Sequence, residues 1–240
     1  MMKKAILLMI ALIVITGVAH ARRGVTVASG DWAPYQGDTL PGGGPAGVIV
    51  AEAFASQGWE VTFEYLPWAR GLTLAQQARN DGTFLYGYSE ERDETFLYSD
   101  PIITLDTVIF YRKDRPIDWT TPEDLKRYTL GAVLEYNYGF IRESDGFTLD
   151  RISDPVGNFR KLAGGRVDGV LEELLVGWDL AERAGVADRI AYHPKAIDSE
   201  PFHFIVSRSH PDAERIISTF NEGLSALRAS GRLEEVLSRN

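Results

Sequence analysis

Segments with the alternating apolar spacing of a β-strand are followed, along nearly the whole chain, by segments with the three-to-four-residue spacing of a helix. Residues 24–29 are rich in β-branched side chains and read as a strand running into the turn Gly30-Asp31-Trp32-Ala33-Pro34-Tyr35. Residues 47–57 have helical spacing and stop at Gly58, a good residue for the left-handed position that ends a helix. Residues 60–66 alternate as a half-buried strand, and Pro67 opens a helix over 68–80 closed by Asp81-Gly82. Further strands are expected over 84–88, 102–112, 128–134, 167–171 and 202–207. Helices are expected from Thr121-Pro122, near 138–143, and over 158–163, 176–184 and 211–230. Such alternation specifies an α/β fold with mostly parallel sheets, because parallel neighbours need a crossover that a helix supplies. Two strands, 102–112 and 202–207, stand about one domain's length apart in the chain. If both cross between two lobes, lobe one is 22–109 plus 204–240 and lobe two is 110–203, with hinges around Phe110-Tyr111 and His203-Phe204.

The N-terminus reads as an export leader. Met1 to Lys4 is a short basic region, the next fourteen residues are almost wholly apolar, and Ala19-His20-Ala21 has the small-x-small form that a signal peptidase accepts. The apolar run is shorter than the ~20 residues a membrane-spanning helix needs. Cleavage after Ala21 would release a soluble periplasmic chain. The formal net charge of −9 argues against nucleic acid and anionic membranes as partners. The chain has no cysteine, which removes thiol nucleophiles, thiolate metal sites and disulfides. No two histidines stand four apart around a glutamate, so neither a zinc site nor any other metal or cofactor is expected.

Chemistry-bearing residues concentrate around Tyr88-Ser89-Glu90-Glu91-Arg92. A guanidinium presents a planar fork of donors that matches a carboxylate in two parallel bonds, so an arginine in a loop between strands suits capture of a small acid. Gly87-Tyr88-Ser89 begins like a nucleophile elbow, but the second glycine is missing and an extended run follows instead of a helix. Gly42-Gly43-Gly44 is not followed by Lys-Ser or Lys-Thr, so a phosphate loop is not expected either.

Five marks in order give the chain a resemblance: Trp32-Ala33-Pro34-Tyr35, Ser89-Glu90-Glu91-Arg92, Tyr98-Ser99-Asp100-Pro101, Leu130-Gly131-Ala132-Val133 and Gly165-Arg166-Val167-Asp168-Gly169-Val170. Together they resemble the type 2 periplasmic solute-binding proteins, in the branch serving polar amino acid uptake by ABC transporters, over essentially the whole chain after the leader. The resemblance implies a two-lobed α/β periplasmic-binding-protein-like fold with two crossing hinge strands and a ligand cleft between the lobes.

Carried over by position, the resemblance makes Arg92 the fork on a ligand carboxylate, and Glu173 the acceptor of an α-ammonium where the family commonly has aspartate. It places Trp32, and more loosely Trp68, as aromatic walls, with core packing as the alternative for both. Tyr88 and Ser89 belong to the arginine turn, while Asn137 and Tyr138 would open the first helix of lobe two, whose free N–H groups favour an anion. Glu135 in that turn would oppose an anion, and Gly87 stands where many members carry a small hydroxyl residue that Tyr86 could replace. Arg70 is a second cleft cation or an exposed helix residue.

The implied action is capture by closure of the lobes on a small, carboxylate-bearing, amino-acid-like solute. A monomer would hand it to an ABC permease or a sensor receptor. An alternative is a cyclohexadienyl-dehydratase-like enzyme using Glu172 or Glu173 as an acid. Among the acids placed in the cleft, Glu90, Glu135 and Glu172 point to a polar or cationic side chain, and the tryptophans to a flat one.

Overall fold

A computed structural model describes residues 23–134 and 136–238. The proposed leader and its cleavage point, and Glu135, lie outside the described residues. In chain order the elements are β1 (Arg23–Ser29), α1 (Gly44–Ser56), β2 (Trp59–Tyr65), α2 (Trp68–Gln76), β3 (Gly82–Gly87), α3 (Glu90–Asp93) and β4 (Phe96–Arg112). They continue with β5 (Thr129–Val133), β6 (Thr148–Ile152), α4 (Pro155–Ala163), β7 (Gly169–Glu173), α5 (Leu174–Arg183), β8 (Ile190–Tyr192), β9 (Asp198–Ser207), α6 (Ala213–Ala229) and α7 (Arg232–Leu237).

The strands form one continuous sheet in the order β2-β1-β3-β9-β4-β7-β5-β6, with β8 beside β4. Parallel pairing joins β1 to β2 and β3, and β5 to β6 and β7. Every pairing made by β4 or β9 is antiparallel. The expectation of mostly parallel pairing therefore holds among β1–β3 and among β5–β7 and fails for β4 and β9, the two long strands that return past each other. The molecule is two-lobed: β1–β3 build one half and β5–β8 the other, with β4 and β9 passing through both.

The crossing lies earlier in each strand than the residues expected to hinge. Phe110 and Tyr111 pair with β7 and β8, inside the second half. His203 and Phe204 pair with β3, inside the first. The chain changes halves where Leu105 faces Glu200 and Thr107 faces Asp198. Sequence reading also expected a helix near 138–143. The structure has only a one-turn helix there, Glu143–Asp145, because Tyr138 turns into the core and Gly139 takes a left-handed φ of +59°. Strand β6 was not expected, since its five residues carry two charges and lie at the sheet edge.

Apolar packing fixes each half separately. In the first, Phe54, Phe204 and Phe220 are fully buried, with Phe204 and Phe220 stacked at 4.9 Å. Helices α1 and α6 meet at Gly223, where a Cβ would fall 2.0 Å from the Ala53 carbonyl oxygen. In the second, Phe110 lies against Phe159 and Trp178, and Gly177 leaves room for its ring. Gly223→Ala is expected to destabilise the protein by about 1–3 kcal/mol, because the clash is with backbone that cannot swing aside. Thermal unfolding of the variant checks this, and an unchanged midpoint would mean that α1 and α6 slide apart freely.

Candidate functional site

The turn after β1 is drawn tight by two backbone bonds, Trp32 N–H to Gln36 O at 2.8 Å and Gln36 N–H to Trp32 O at 3.1 Å. It presents the Trp32 ring to Phe202 of β9 at 5.2 Å and to Tyr35 at 5.7 Å. Trp68, first residue of α2, donates its indole N–H to Asp31 O at 3.2 Å. Its ring lies so close to Gly30 that a Cβ there would sit 2.4 Å from Cε2, so the glycine admits the tryptophan. The Trp68 edge meets Tyr86 at 5.4 Å.

Arg92 stands next in this chain of contacts. Its guanidinium lies 5.2 Å over the Tyr86 ring, and Nη1 donates to Gly87 O at 2.6 Å. Ser89 caps the short helix α3 by accepting from the Arg92 backbone N–H at 3.2 Å, which fixes where the side chain starts. Nε and Nη2 have no hydrogen-bond partner among the described residues. The structure thus brings Arg92, Ser89 and Trp68 together, and links them to Trp32 through Asp31. Tyr88 is 52% exposed and packs on Tyr98 at 5.4 Å, on the rim of the same cluster. Arg70 is exposed.

Gly87 has a neighbour that sequence reading missed. A Cβ there would fall 1.8 Å from Oε1 of Glu200, so the glycine makes room for this carboxylate. Burial pushes the Glu200 carboxyl above its usual range, Asp198 adds to the rise, and Arg92 opposes it. Asp198 borders Gly139 of the second half, with Oδ2 3.1 Å from where a Cβ would stand. Both acids belong to the stretch of β9 that changes halves, ahead of the strand start expected at 202.

Glu173 is the N-cap of α5, and its Oε2 accepts from the N–H groups of Leu175 at 2.9 Å and Val176 at 2.8 Å. Oε1 accepts from the Tyr35 hydroxyl at 2.9 Å, a buried bond that ties the β1 turn to the second half. Burial raises its carboxyl, and these bonds work against the rise. Asn137 is exposed, with Oδ1 accepting from Gly139 N–H at 3.2 Å. Tyr138 is 3% exposed and its hydroxyl accepts from Val133 N–H at 2.8 Å. No helix starts at these two residues, so the expected helix-terminus anion site is not formed there, and Tyr138 is out of a solute's reach.

A cavity of about 450 Å³ opens between the halves. Trp32, Gln36 and Asp31 line it from the first half, and Tyr136, Glu172 and Asp179 from the second. Arg92 and Glu173 are outside its lining. Glu172 is 3% exposed, and burial pushes its carboxyl up to about 8. Its Oε1 accepts from Glu173 N–H at 3.1 Å. Among the described residues no cluster of His, Asp or Glu is arranged to hold a metal ion, and no helix is long and apolar enough to cross a membrane.

Residues 25–239 match the bacterial extracellular solute-binding proteins, family 3. The chain belongs to this family. No curated protein matches it in sequence. Among solved structures, this solute-binding protein is similar to a histidine kinase sensor domain with similarity to periplasmic binding proteins, at TM-score 0.75 and 22% identity over 91% of this chain and 96% of that one. It is similar to a mutant of ArgBP from T. maritima at TM-score 0.73 and 19% identity, covering 90% and 94% of the two chains. It is also similar to an amino acid ABC transporter substrate-binding protein from Streptococcus pneumoniae bound to L-arginine, at TM-score 0.71 and 18% identity over 90% and 93%. These likenesses establish the shared two-lobed fold.

Two substitutions probe the junction. Tyr35→Phe removes a buried hydrogen bond to a carboxylate and is expected to lower unfolding free energy by about 1.5–3 kcal/mol. A loss near zero in denaturant titration would mean that water replaces the hydroxyl. Glu172 titrates near 4.5 when unfolded and near 8 in the fold, so the native state holds a proton that the unfolded chain has lost between these values. Stability therefore falls as pH rises across that window, with Glu173 and Glu200 acting in the same direction. Glu172→Gln is expected to flatten the fall and to melt higher than the parent near the top of the window, with the gap closing at its acid end. Parallel curves would mean that Glu172 is ionised in the fold.

Proposed function

We propose that this protein captures a small amino-acid-like solute, anchored by its carboxylate on Arg92, in the cleft between its halves. The observation that carries the reading is the half-buried Arg92 guanidinium, stacked on Tyr86 and fixed through Nη1, with Nε and Nη2 left without a hydrogen-bond partner among the described residues. A pre-positioned fork needs little ordering when it meets a carboxylate, so more of the bond's free energy appears as affinity. Trp32, Trp68, Tyr86 and Phe202 supply flat apolar surface beside it. Glu173 acts here as a strut: its carboxylate is already met by Tyr35 and by two α5 amides, so the solute's ammonium falls to Glu200 and Asp198.

The chain would work outside the cytoplasm after removal of residues 1–21 and pass its closed form to an ABC permease, as family membership and the likeness to transporter binding proteins favour. Delivery to a sensor kinase is the second reading, and the likeness to a histidine kinase sensor domain supports it. Capture without chemistry is the reading preferred here. An acid-catalysed elimination is the competing one, and the protonated Glu172 carboxyl is what favours it.

A thermal-shift screen of residues 22–240 against α-amino acids tests the proposal. Ligand at about 100 times its dissociation constant is expected to raise the midpoint by a few degrees, and Arg92→Ala to abolish the shift. A shift that survives in Arg92→Ala would move the anchor elsewhere. Turnover of a cyclohexadienyl acid would replace capture with catalysis.

A further inference from the structure

Two residues lining the inter-half cavity carry buried polar atoms that have no hydrogen-bond partner among the described residues. Gln36 is 0% exposed, yet among the described residues neither its Oε1 nor its Nε2 has a hydrogen-bond partner, and the Trp32 indole N–H has none either. Buried groups of this kind cost stability when left unpaired and are rare in folded proteins. The two residues are four positions apart on one tight turn, and both line the cavity. Glu172 faces them from β7, with Oε1 on Glu173 N–H and Oε2 free of hydrogen bonds from described residues. The remaining charges at the cavity are the exposed Asp31 and the half-buried Asp179 paired with Arg183 at 3.1 Å, so no unpaired cation among the described residues lines it.

We propose that this cavity is a subsite for a neutral group that both donates and accepts hydrogen bonds, a carboxamide or ureide at the far end of the solute. The inference rests on the capture reading above and names its solute class. The inventory of unpaired atoms decides between chemistries. An ammonium or guanidinium has no acceptor, so it would leave the Trp32 N–H and the Gln36 NH2 unpaired. A carboxylate has no donor for Gln36 Oε1 and would face Glu172, Asp31 and Asp179. A carboxamide meets the Gln36 amide in two antiparallel bonds, and its carbonyl oxygen has a second lone pair for the indole N–H. The Glu172 carboxyl, neutral near pH 7, completes the set as donor or acceptor without demanding a counter-charge. The Asp31 backbone joins the two regions, accepting from Trp68 on the Arg92 side while its residue lines the cavity.

Calorimetry with L-glutamine, L-citrulline, L-glutamate, L-arginine and L-norvaline tests this on the parent, Gln36→Leu and Arg92→Ala proteins. Propionamide, followed by tryptophan fluorescence, probes the cavity without a carboxylate. The parent is expected to prefer L-glutamine or L-citrulline over L-norvaline and L-arginine by about tenfold or more. Gln36→Leu is expected to erase that preference and propionamide binding while leaving L-norvaline unchanged. Its melting temperature should hold or rise, because an apolar side chain replaces unpaired polar atoms. Arg92→Ala should lose the amino acids and keep propionamide. Amino acids bound with no preference for amides, or an unchanged preference in Gln36→Leu, would overturn the subsite and leave the capture reading standing. Propionamide bound with no amino acid bound would overturn the capture reading and leave the subsite. Silence of every probe would overturn both.

Discussion

Strand β4 runs antiparallel to β9, from Phe96 opposite Ser207 to Thr107 opposite Asp198, and both halves are built outward from that ladder. On one side β3 adds to β9, and on the other β7 adds to β4. Parallel units need crossover helices, so each half completes itself with its own helices and aromatic core. Asp198, Glu200 and Phe202 lie on β9, where it pairs with β4 between the two halves.

Charge in the cleft follows from the same geometry. Glu172 and Glu173 are the last residues of β7 and point to different surroundings, as successive residues of a strand must. Glu173 finds three donors and becomes a strut between halves. Among the described residues Glu172 finds one donor and no cation, and burial pushes its carboxyl up to about 8. A similar division separates Arg92 from Glu200: the arginine is held by Gly87 O and Tyr86, and the glutamate fills the space above the Gly87 backbone. A glycine at that position and a glutamate on the junction strand are therefore parts of one feature.

Aromatic side chains connect these charges. Contacts run from Arg92 to Tyr86, to Trp68, through the Asp31 backbone to Trp32, and on to Phe202. Rings pack with few rotatable bonds, so such a series holds polar groups in place at low entropic cost and excludes water from them. The unpaired Gln36 and Trp32 groups sit at the end of that series, where a solute of the right chemistry would be recognised by what it satisfies.

Most of the strand and helix order was legible in the sequence, because apolar periodicity is a local signal: β1, α1, β2 and α6 fall where spacing alone places them. The five motifs also sufficed for the family, to which the match over residues 25–239 agrees. The crossing point was not legible, since residues 198–201, Asp-Ser-Glu-Pro, lie ahead of the strand expected from 202 and become strand only by pairing with 104–107. Tyr138 could not be told from a surface tyrosine, because its burial depends on strands far away in sequence. Gln36 and Glu200 carry no motif at all. Sequence by itself determined which segments are strand and helix, the family, and the arginine turn, all of which depend on neighbours within a few residues. Only the tertiary structure decided which acids are paired, which amide is left without a partner and where the halves meet, because these depend on groups brought together from more than a hundred residues apart, as Tyr35 and Glu173 are.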